Sequence, residues 1–281
     1  RFGSTSPSMT CSSKDEIDLA SVCPGRVASH DPFHLLLRCV VGKARLLCNA
    51  RDDNLARVMK LWCWRLVEAF GIGAGDWQAE LLEPDGSVFS VSHRDRRIGT
   101  VRWSLMGRHN VLNALGAVAA AAAHGADPVE MLPALGRFRS VSRRMEFLGS
   151  VDGIEVYDDF AHHPTAIATT LAGLRAKIGQ QRILVAFEPR SNSMRQGVHA
   201  EAMAPSLAEA DRIVLLQRPE LAWNAAAVID ALDGRGEAVA DVGTLLQRLL
   251  DQARQGDRVV FMSNGGFEAA PRRFVEALKA R

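Results

Sequence analysis

Residues 154–165 read IEVYDDFAHHPT, and this stretch decides the fold. Its first four residues follow the pattern of a strand, and the apolar spacing after Pro164 is that of a helix. The same alternation continues to the end of the chain. Strands are predicted at residues 145–148, 154–157, 182–187, 212–216, 238–240 and 258–262, and helices at 164–177, 199–208, 221–232, 244–253 and 271–278. This spacing predicts an α/β fold with a mostly parallel sheet and helices on both faces.

The preceding residues follow a different pattern. Strands are predicted at 44–49, 77–82, 88–92 and 98–105, with a turn at 84–86. Helices are predicted from residue 52 to 61, from Asn110 to a stop at Gly125, and after an N-cap at Asp127. We therefore divide the chain into an irregular segment at 1–32, mixed strands and helices at 33–139, and the alternating region at 140–281.

The composition excludes several classes of protein. The 281 residues include 34 basic and 32 acidic side chains, a formal charge of +2, which argues against nucleic-acid binding through bulk charge. No apolar run approaches the ~18 residues of a membrane span. The five cysteines form no CxxC pair, so we expect neither a disulfide scaffold nor a zinc site, and a reducing cytoplasm is the simplest compartment.

The densest group of ionisable side chains follows the strand at 154–157. Two carboxylates, Asp158 and Asp159, and two imidazoles, His162 and His163, lie close together in the sequence. Open α/β sheets bind ligands at the carboxyl ends of their strands. Carboxylates there can hold ribose hydroxyls or a metal, and imidazoles can orient an anionic or carbonyl substrate. The alternative is a helix cap, in which Asp159 or Thr165 accepts backbone amides.

Two weaker signals lie near the boundary between the two regions. Asn110 and Asn113 are three residues apart, so both face one side of the predicted helix. Asparagine amides can pair with the edge of an adenine, although Asn110 could instead be the N-cap. Arg143 and Arg144 can hold a phosphate, although surface arginines are common in this chain.

Two further loops follow buried strands. Residues 188–194 read EPRSNSM and residues 263–267 read SNGGF, and backbone amides at paired glycines can cradle an anion. Each could be an ordinary strand-to-helix loop, but three polar strand ends in one sheet predict a shared cleft. The sequence contains no G-x-x-x-x-G-K-[ST], G-x-S-x-G, H-E-x-x-H or G-x-G-x-x-G motif.

Taken in order, these clusters resemble the Mur ligase family, the ATP-dependent amide ligases of peptidoglycan synthesis. The resemblance covers residues 33–281 and rests on GRHN at 107–110 with Asn113, on Arg144, on DDFAHHPT at 158–165, and on the loops EPRSNSM and SNGGF. It implies the C-terminal half of a central ATP-binding domain at 33–139 and a Rossmann-like, mostly parallel substrate domain at 140–281.

The resemblance also implies a role for each motif. The residues expected to bind ATP are His109, Asn110, Asn113, Arg144 and Asp159. The residues expected to be catalytic, where the substrates meet, are His162 and His163. The candidates for binding the carboxylates of the amine substrate are Arg190, Ser191, Asn192, Asn264 and Gly265.

The reaction implied joins the murein tripeptide L-Ala-γ-D-Glu-meso-diaminopimelate to UDP-N-acetylmuramate through an acyl phosphate, with ATP and Mg²⁺. The loops at 188–194 and 263–267 favour the tripeptide over L-alanine, the alternative acceptor. The family's phosphate loop, UDP-sugar domain and metal-binding residues have no counterpart in this sequence, which begins with Arg1. We therefore expect a portion of a longer ligase, with its Mg²⁺ ligands mainly upstream. The other alternative is a non-catalytic binding module. Neither nucleic acid nor membrane is an expected partner.

Overall fold

A computed structural model describes residues 44–62 and 67–281. The irregular segment predicted at 1–32 lies outside the described residues. The described residues belong to two units: residues 44 and 52–62 lie in the first, and residues 45–51 and 67–281 form the second. In the first unit, helix α1 (Asp53–Trp62) begins near its predicted start, because the Asp52 carboxylate accepts the first free backbone N–H groups.

The second unit contains a five-stranded sheet and, after it, a six-stranded one. The strands of the first sheet, in spatial order, are β1 (Leu46–Asn49), β2 (Val67–Ile72), β3 (Trp77–Leu81), β4 (Val88–His93) and β5 (Arg96–Arg102). The first three are parallel, and β3, β4 and β5 are antiparallel. The sequence pattern missed β2, since Glu68 interrupts its apolar residues. The Glu68 carboxylate is buried in the structure and accepts the indole N–H of Trp77 at 2.9 Å.

Two helices pack on this first sheet, α2 (Arg108–Ala123) and α3 (Pro128–Gly136). Helix α2 contributes one apolar face to the core. Gly125, with φ of +93°, follows its end, and Asp127 caps α3 by accepting the Val129 N–H, both as predicted.

The second sheet confirms the predicted α/β fold. Its strands are β6 (Glu146–Val151), β7 (Ile154–Asp159), β8 (Ile183–Phe187), β9 (Arg212–Leu216), β10 (Gly236–Val239) and β11 (Arg258–Met262). Their spatial order is β10-β9-β8-β11-β7-β6, and every neighbouring pair is parallel except the β6–β7 hairpin. The division of the chain into 33–139 and 140–281 stays a prediction.

Helices cover both faces of this sheet. They are α4 (Pro164–Ile178), α5 (Asn192–Arg195), α6 (Ala200–Ser206), α7 (Ala226–Asp230), α8 (Val242–Gln252) and α9 (Ala270–Lys279), with a 3₁₀ turn at Phe267–Ala269. Strand β8 is buried on both sides. Its Val185 packs in the cluster that includes α4 and α6, and its Ala186 in the cluster that includes α8 and α9.

Helix α7 is shorter than the predicted helix at 221–232. The residues before it bond to the segment after β8 instead, since the Ala222 N–H donates to the Arg195 carbonyl and the Trp223 indole to the Met194 carbonyl. Across the described part of the chain, no helix has both the length and the hydropathy needed to cross a membrane.

Candidate functional site

A cavity of about 1740 Å³ lies beside helix α2 and strands β6 and β7. Its walls contain all the residues predicted to bind nucleotide, which are His109, Asn110, Asn113, Arg144 and Asp159. Three come from α2, and two come from the six-stranded sheet or the segment just before it. The tertiary structure therefore joins into one site two groups that are distant in sequence.

The first turns of α2 present amide groups to this cavity. Gly107 is the N-cap, so the alternative that Asn110 caps the helix is wrong. The Asn110 Nδ2 donates to the Met106 carbonyl at 2.7 Å, which leaves its Oδ1 for a ligand. Asn113 is exposed, and its side chain makes no hydrogen bond to a residue that the structure describes. Its complete amide edge is available to a base.

His109 carries a neutral imidazole at the cavity wall. Its ring packs so closely on Gly107 that a Cβ there would come within 2.6 Å of the ring Cε1. Burial, and then the charge of Arg144, lower the pKa of His109 below its ordinary 6.5. Its Nδ1 is buried and has no hydrogen-bond partner among the described residues. This nitrogen can therefore form a hydrogen bond with a ligand.

The two adjacent arginines differ in role. The Arg143 guanidinium donates to Asp158 Oδ2 at 3.2 Å and to the Ser263 carbonyl at 2.5 Å, so it links the ends of β7 and β11. The Arg144 guanidinium has no ion pair or hydrogen bond within the described ranges, and lies 5.4 Å from the centroid of the Phe160 ring. An unpaired guanidinium beside a cavity suits a phosphate.

Asp159 is buried, with 3% of its surface exposed, and organises the end of β7. Its two carboxylate oxygens accept the N–H groups of Ala161 and Met145, each at 2.7 Å. Burial raises the pKa of Asp159, while these hydrogen bonds and the charge of Arg144 oppose that shift. Each oxygen can accept a further hydrogen bond, as a ribose hydroxyl requires.

The two histidines predicted to be catalytic do not line this cavity. His163 is the N-cap of α4, because its Nδ1 accepts the Thr165 N–H at 3.3 Å. The alternative that Asp159 or Thr165 caps this helix is therefore wrong. The Nδ1 of His162 lies 2.9 Å from the Phe160 carbonyl.

The environment of His163 includes a third histidine. Its ring meets the ring of His199 edge-on, with centroids 4.4 Å apart. Burial, followed by the charges of His199 and His162, lowers the pKa of His163 below its ordinary value. The His163 imidazole is therefore neutral at pH 7.

A second polar group joins the carboxyl ends of β8 and β11. Glu188 is 1% exposed, and its Oε1 accepts the Nε and Nη2 protons of Arg218 at 3.1 and 2.9 Å. Its Oε2 accepts the Ser263 hydroxyl at 2.7 Å. The Gly265 N–H donates in turn to Ser263 Oγ at 3.0 Å. A buried carboxylate therefore holds the SNGG loop in place.

Two of the residues predicted to bind the amine substrate, Arg190 and Asn264, retain free capacity at this loop, whereas the Gly265 N–H already donates to Ser263 Oγ. Arg190 is exposed and has no ionic or hydrogen-bonding partner in the described part of the chain. It lies over Gly265, where a Cβ would come within 2.2 Å of Arg190 Cδ. The Asn264 Oδ1 is buried and has no partner among the described residues.

The other two have local partners. Ser191 caps α5, where its Oγ accepts the Met194 N–H at 3.4 Å. The Asn192 Oδ1 accepts an Arg195 proton at 2.5 Å. The structure therefore ties both residues to the geometry of the loop, and their contact with substrate stays a prediction.

Comparison with known proteins bears on the whole second sheet. Residues 143–265 match the model described as Mur ligase, glutamate ligase domain. The chain carries the C-terminal domain of the Mur ligase family. This confirms the resemblance seen in the sequence motifs.

Relatives of this Mur ligase domain extend the similarity upstream. The UDP-N-acetylmuramate–L-alanyl-γ-D-glutamyl-meso-2,6-diaminoheptandioate ligase of Escherichia coli K12 is 40% identical over 264 residues, which is 94% of this chain and 58% of the relative. The UDP-N-acetylmuramate–L-alanine ligase of Mycolicibacterium vanbaalenii is 35% identical, over 89% of this chain and 54% of the relative. A murein peptide ligase of Psychrobacter arcticus superposes with a TM-score of 0.67 at 36% identity, over 89% of this chain and 54% of that one. The chain thus spans little more than half the length of these relatives.

The cavity presents polar groups of the kinds that bind a nucleotide. The free amide of Asn113, the neutral ring of His109 and the unpaired Arg144 match the polar edges and the charge of a nucleotide. Within residues 44–62 and 67–281, no group of three or more His, Cys, Asp or Glu side chains is arranged to hold a metal ion.

The sequence motifs of this Mur ligase domain do not predict two residues of the site. Glu188 lies in the EPRSNSM motif without a predicted role, and Arg218 lies outside every motif. Glu188 directly follows the apolar strand β8, and Arg218 lies two residues after β9, whose last four residues are apolar. That signal had already singled out the loops after residues 187 and 262, so it could also have found Arg218.

Proposed function

We propose that this chain is the nucleotide- and peptide-binding portion of a ligase that joins L-Ala-γ-D-Glu-meso-diaminopimelate to UDP-N-acetylmuramate. The observation that carries the proposal is the cavity that unites Asn110 and Asn113 with Arg144 and Asp159. The name of the Escherichia coli relative supports the choice of substrates. We place the proposed reaction in the cytoplasm, where it serves peptidoglycan synthesis and recycling.

In the proposed reaction, ATP supplies the phosphoryl group that turns the lactyl carboxylate of UDP-N-acetylmuramate into an acyl phosphate. The tripeptide amine then attacks the carbonyl carbon, the C–N bond forms, the C–O bond to phosphate breaks, and the nitrogen loses a proton. Such a reaction depends chiefly on positioning and on charge neutralisation. Asn110 and Asn113 hold the adenine, Asp159 the ribose and Arg144 a phosphate.

Hydrogen bonding distinguishes the two histidines as proton acceptors. His162 donates its Nδ1 proton to the Phe160 carbonyl, so its Nε2 is free to accept one. His163 uses Nδ1 to accept the Thr165 N–H, so its neutral ring carries the proton on Nε2. We therefore propose that His162 accepts the proton of the attacking amine and that His163 has a positioning role.

Nucleotide binding to the purified chain tests the proposal. We expect Asn113→Leu to weaken ATP binding about tenfold or more in isothermal titration calorimetry, because the leucine removes the amide edge and fills the wall. His124→Leu is the matched control, since His124 is exposed at the other end of α2 and does not line the cavity. Equal affinity of both variants and the parent chain would contradict the assignment.

The name of the Mycolicibacterium relative indicates L-alanine as the alternative acceptor. Titration of the chain with the tripeptide and with L-alanine separates the two ligases. We expect the tripeptide to bind and L-alanine to show no heat, and the reverse result would favour the alanine ligase.

A third possibility is that the chain only binds its ligands. Because the sequence has no phosphate loop to hold the γ-phosphate, we expect no ATP turnover by the 281-residue chain alone. Phosphate release above that of a denatured sample would contradict this expectation.

A further inference from the structure

Arg218 joins two carboxylates that differ in their access to solvent. Its Nε and Nη2 hold Glu188, which is 1% exposed. Its Nη1 lies 2.6 Å from Glu268 Oε1, and the Glu268 side chain is 51% exposed. Only the Glu268 carboxylate can leave without stranding a buried charge. Arg218 therefore has one fixed partner and one exchangeable partner.

The segment that carries Glu268 has an unusual backbone. Phe267, Glu268 and Ala269 have φ values of +47°, +49° and +56°, in the left-handed region that non-glycine residues rarely adopt. The Phe267 ring is buried against Phe261, with centroids 5.9 Å apart, and anchors the segment. With Phe267 anchored in this way, the next residue lies beside Arg218.

Two unmatched groups lie at the loop after β11, which also carries Glu268. Arg190, from the loop after β8, lies over Gly265, and Asn264 has a buried acceptor; neither group has a partner among the described residues. A cation and an amide oxygen without partners in the described part of the chain indicate a ligand that brings a carboxylate and an N–H donor. The loop is tied to Arg218 through Ser263 and Glu188.

We propose that Arg218 is a carboxylate-binding residue of the amine-substrate site and that Glu268 occupies it as an internal competitor. A carboxylate of the incoming peptide displaces the Glu268 carboxylate from Nη1, while Glu188 keeps the guanidinium oriented. The inference rests on the proposed function, since it names a substrate contact of the same site. It predicts that the native Glu268 lowers the affinity for peptide carboxylates and so selects ligands with several of them.

Isothermal titration calorimetry with L-Ala-γ-D-Glu-meso-diaminopimelate tests the proposal on the 281-residue chain. We expect Glu268→Gln to bind the tripeptide about three- to tenfold more tightly than the parent chain. Glu276→Gln is the matched control, because it removes the same charge from an exposed ion pair with Lys279 on α9. The gain should persist in 0.5 M NaCl, where interactions between distant charges are screened.

A second background shows whether Glu268 acts through Arg218. Removing Arg218 alone would strand the Glu188 charge, so Glu188→Gln and Arg218→Gln are combined, which leaves the net charge of the site unchanged. In that background Glu268→Gln should leave the affinity unchanged. The proposal would be overturned if Glu268→Gln bound the tripeptide no more tightly than the parent chain, or if Glu276→Gln showed the same gain in affinity.

The same titrations separate this proposal from the proposed function. If Arg190→Ala weakens tripeptide binding but Glu268→Gln does not strengthen it, the competitor role fails and the substrate site stands. If no variant binds the tripeptide, both fail at this loop, while ATP binding still tests the nucleotide cavity.

Discussion

Gly173 of α4 lies directly against Gly107 at the start of α2. A Cβ at residue 173 would lie 2.8 Å from the Gly107 Cα and 3.1 Å from its backbone nitrogen. Gly107 has φ of +93°, and its N–H donates to the Asp85 carbonyl. This glycine contact lets α2, which carries Asn113, pack closely against α4 beside the cavity.

We expect Gly173→Ala to weaken ATP binding by about tenfold, or about 1.4 kcal/mol, because the methyl group forces α2 and α4 apart. Gly116→Ala is the matched control within α2. Its Cβ would meet only the Phe70 ring at 3.4 Å, and alanine is the better helix former by about 1 kcal/mol. Calorimetric ATP affinities that are the same for both variants would show that the glycine contact does not shape the cavity.

Substitution of Arg144 should weaken ATP binding, whereas substitution of Arg143 should lower the stability of the fold. Loss of a charge-assisted hydrogen bond of about 1.5–3 kcal/mol predicts that Arg144→Ala weakens ATP roughly 10- to 150-fold and adenosine less than twofold. Arg143→Ala should instead lower the midpoint of urea unfolding, since Asp158 and the Ser263 carbonyl lose their partner. Competition titrations and unfolding curves on both variants test this pair, and an equal loss of ATP and adenosine affinity would place Arg144 away from the phosphates.

His109 should make stability depend on pH. Its pKa is lowered in the folded state, first by burial and then by Arg144, so the unfolded chain binds more protons below the ordinary pKa of 6.5. Stability is therefore present above about pH 6.5 and is lost as the pH falls through that window. His163 shifts in the same direction, so His109→Asn should reduce the loss between pH 7.5 and 5.5 without abolishing it.

Urea unfolding at the two pH values measures this effect. His124→Asn, at an exposed position, is the control and should keep the slope of the parent chain. If His109→Asn also keeps that slope, His109 is not the group whose titration is linked to folding.

Glu188 should be the most costly of the strand-end residues to truncate. Glu188→Ala leaves the Arg218 fork and the Ser263 hydroxyl without their acceptor, and breaking a buried pair costs about 3–5 kcal/mol. Glu188→Gln should cost less, because it can still accept one hydrogen bond. The exposed Glu276→Ala should stay within about 0.5 kcal/mol of the parent chain. Free energies of unfolding from urea titration test the order of the three, and a Glu188→Ala value near that of Glu276→Ala would contradict it.

Much of the second sheet was predictable because its strands are short, apolar and separated by amphipathic helices. Strand β11 has its predicted bounds, and β8 and β9 differ by at most one residue. Strand β2 escaped prediction because buried Glu68 is matched by the Trp77 indole, a contact that no local pattern contains. Helix α7 is shorter than predicted because residues 222 and 223 bond to the segment at 194–195.

The sequence by itself determined the α/β class and the Mur ligase family and predicted the residues of a nucleotide motif, because periodicity and short motifs are local properties. Only the tertiary structure decided which neighbours share a task. In the structure Arg143 pairs with Asp158, whereas the Arg144 guanidinium has no ion pair or hydrogen bond among the described residues. Arg218 pairs with Glu188, 30 residues away in the sequence. Such pairings depend on strand order and on left-handed backbone positions that packing imposes, so they exist only once the chain has folded.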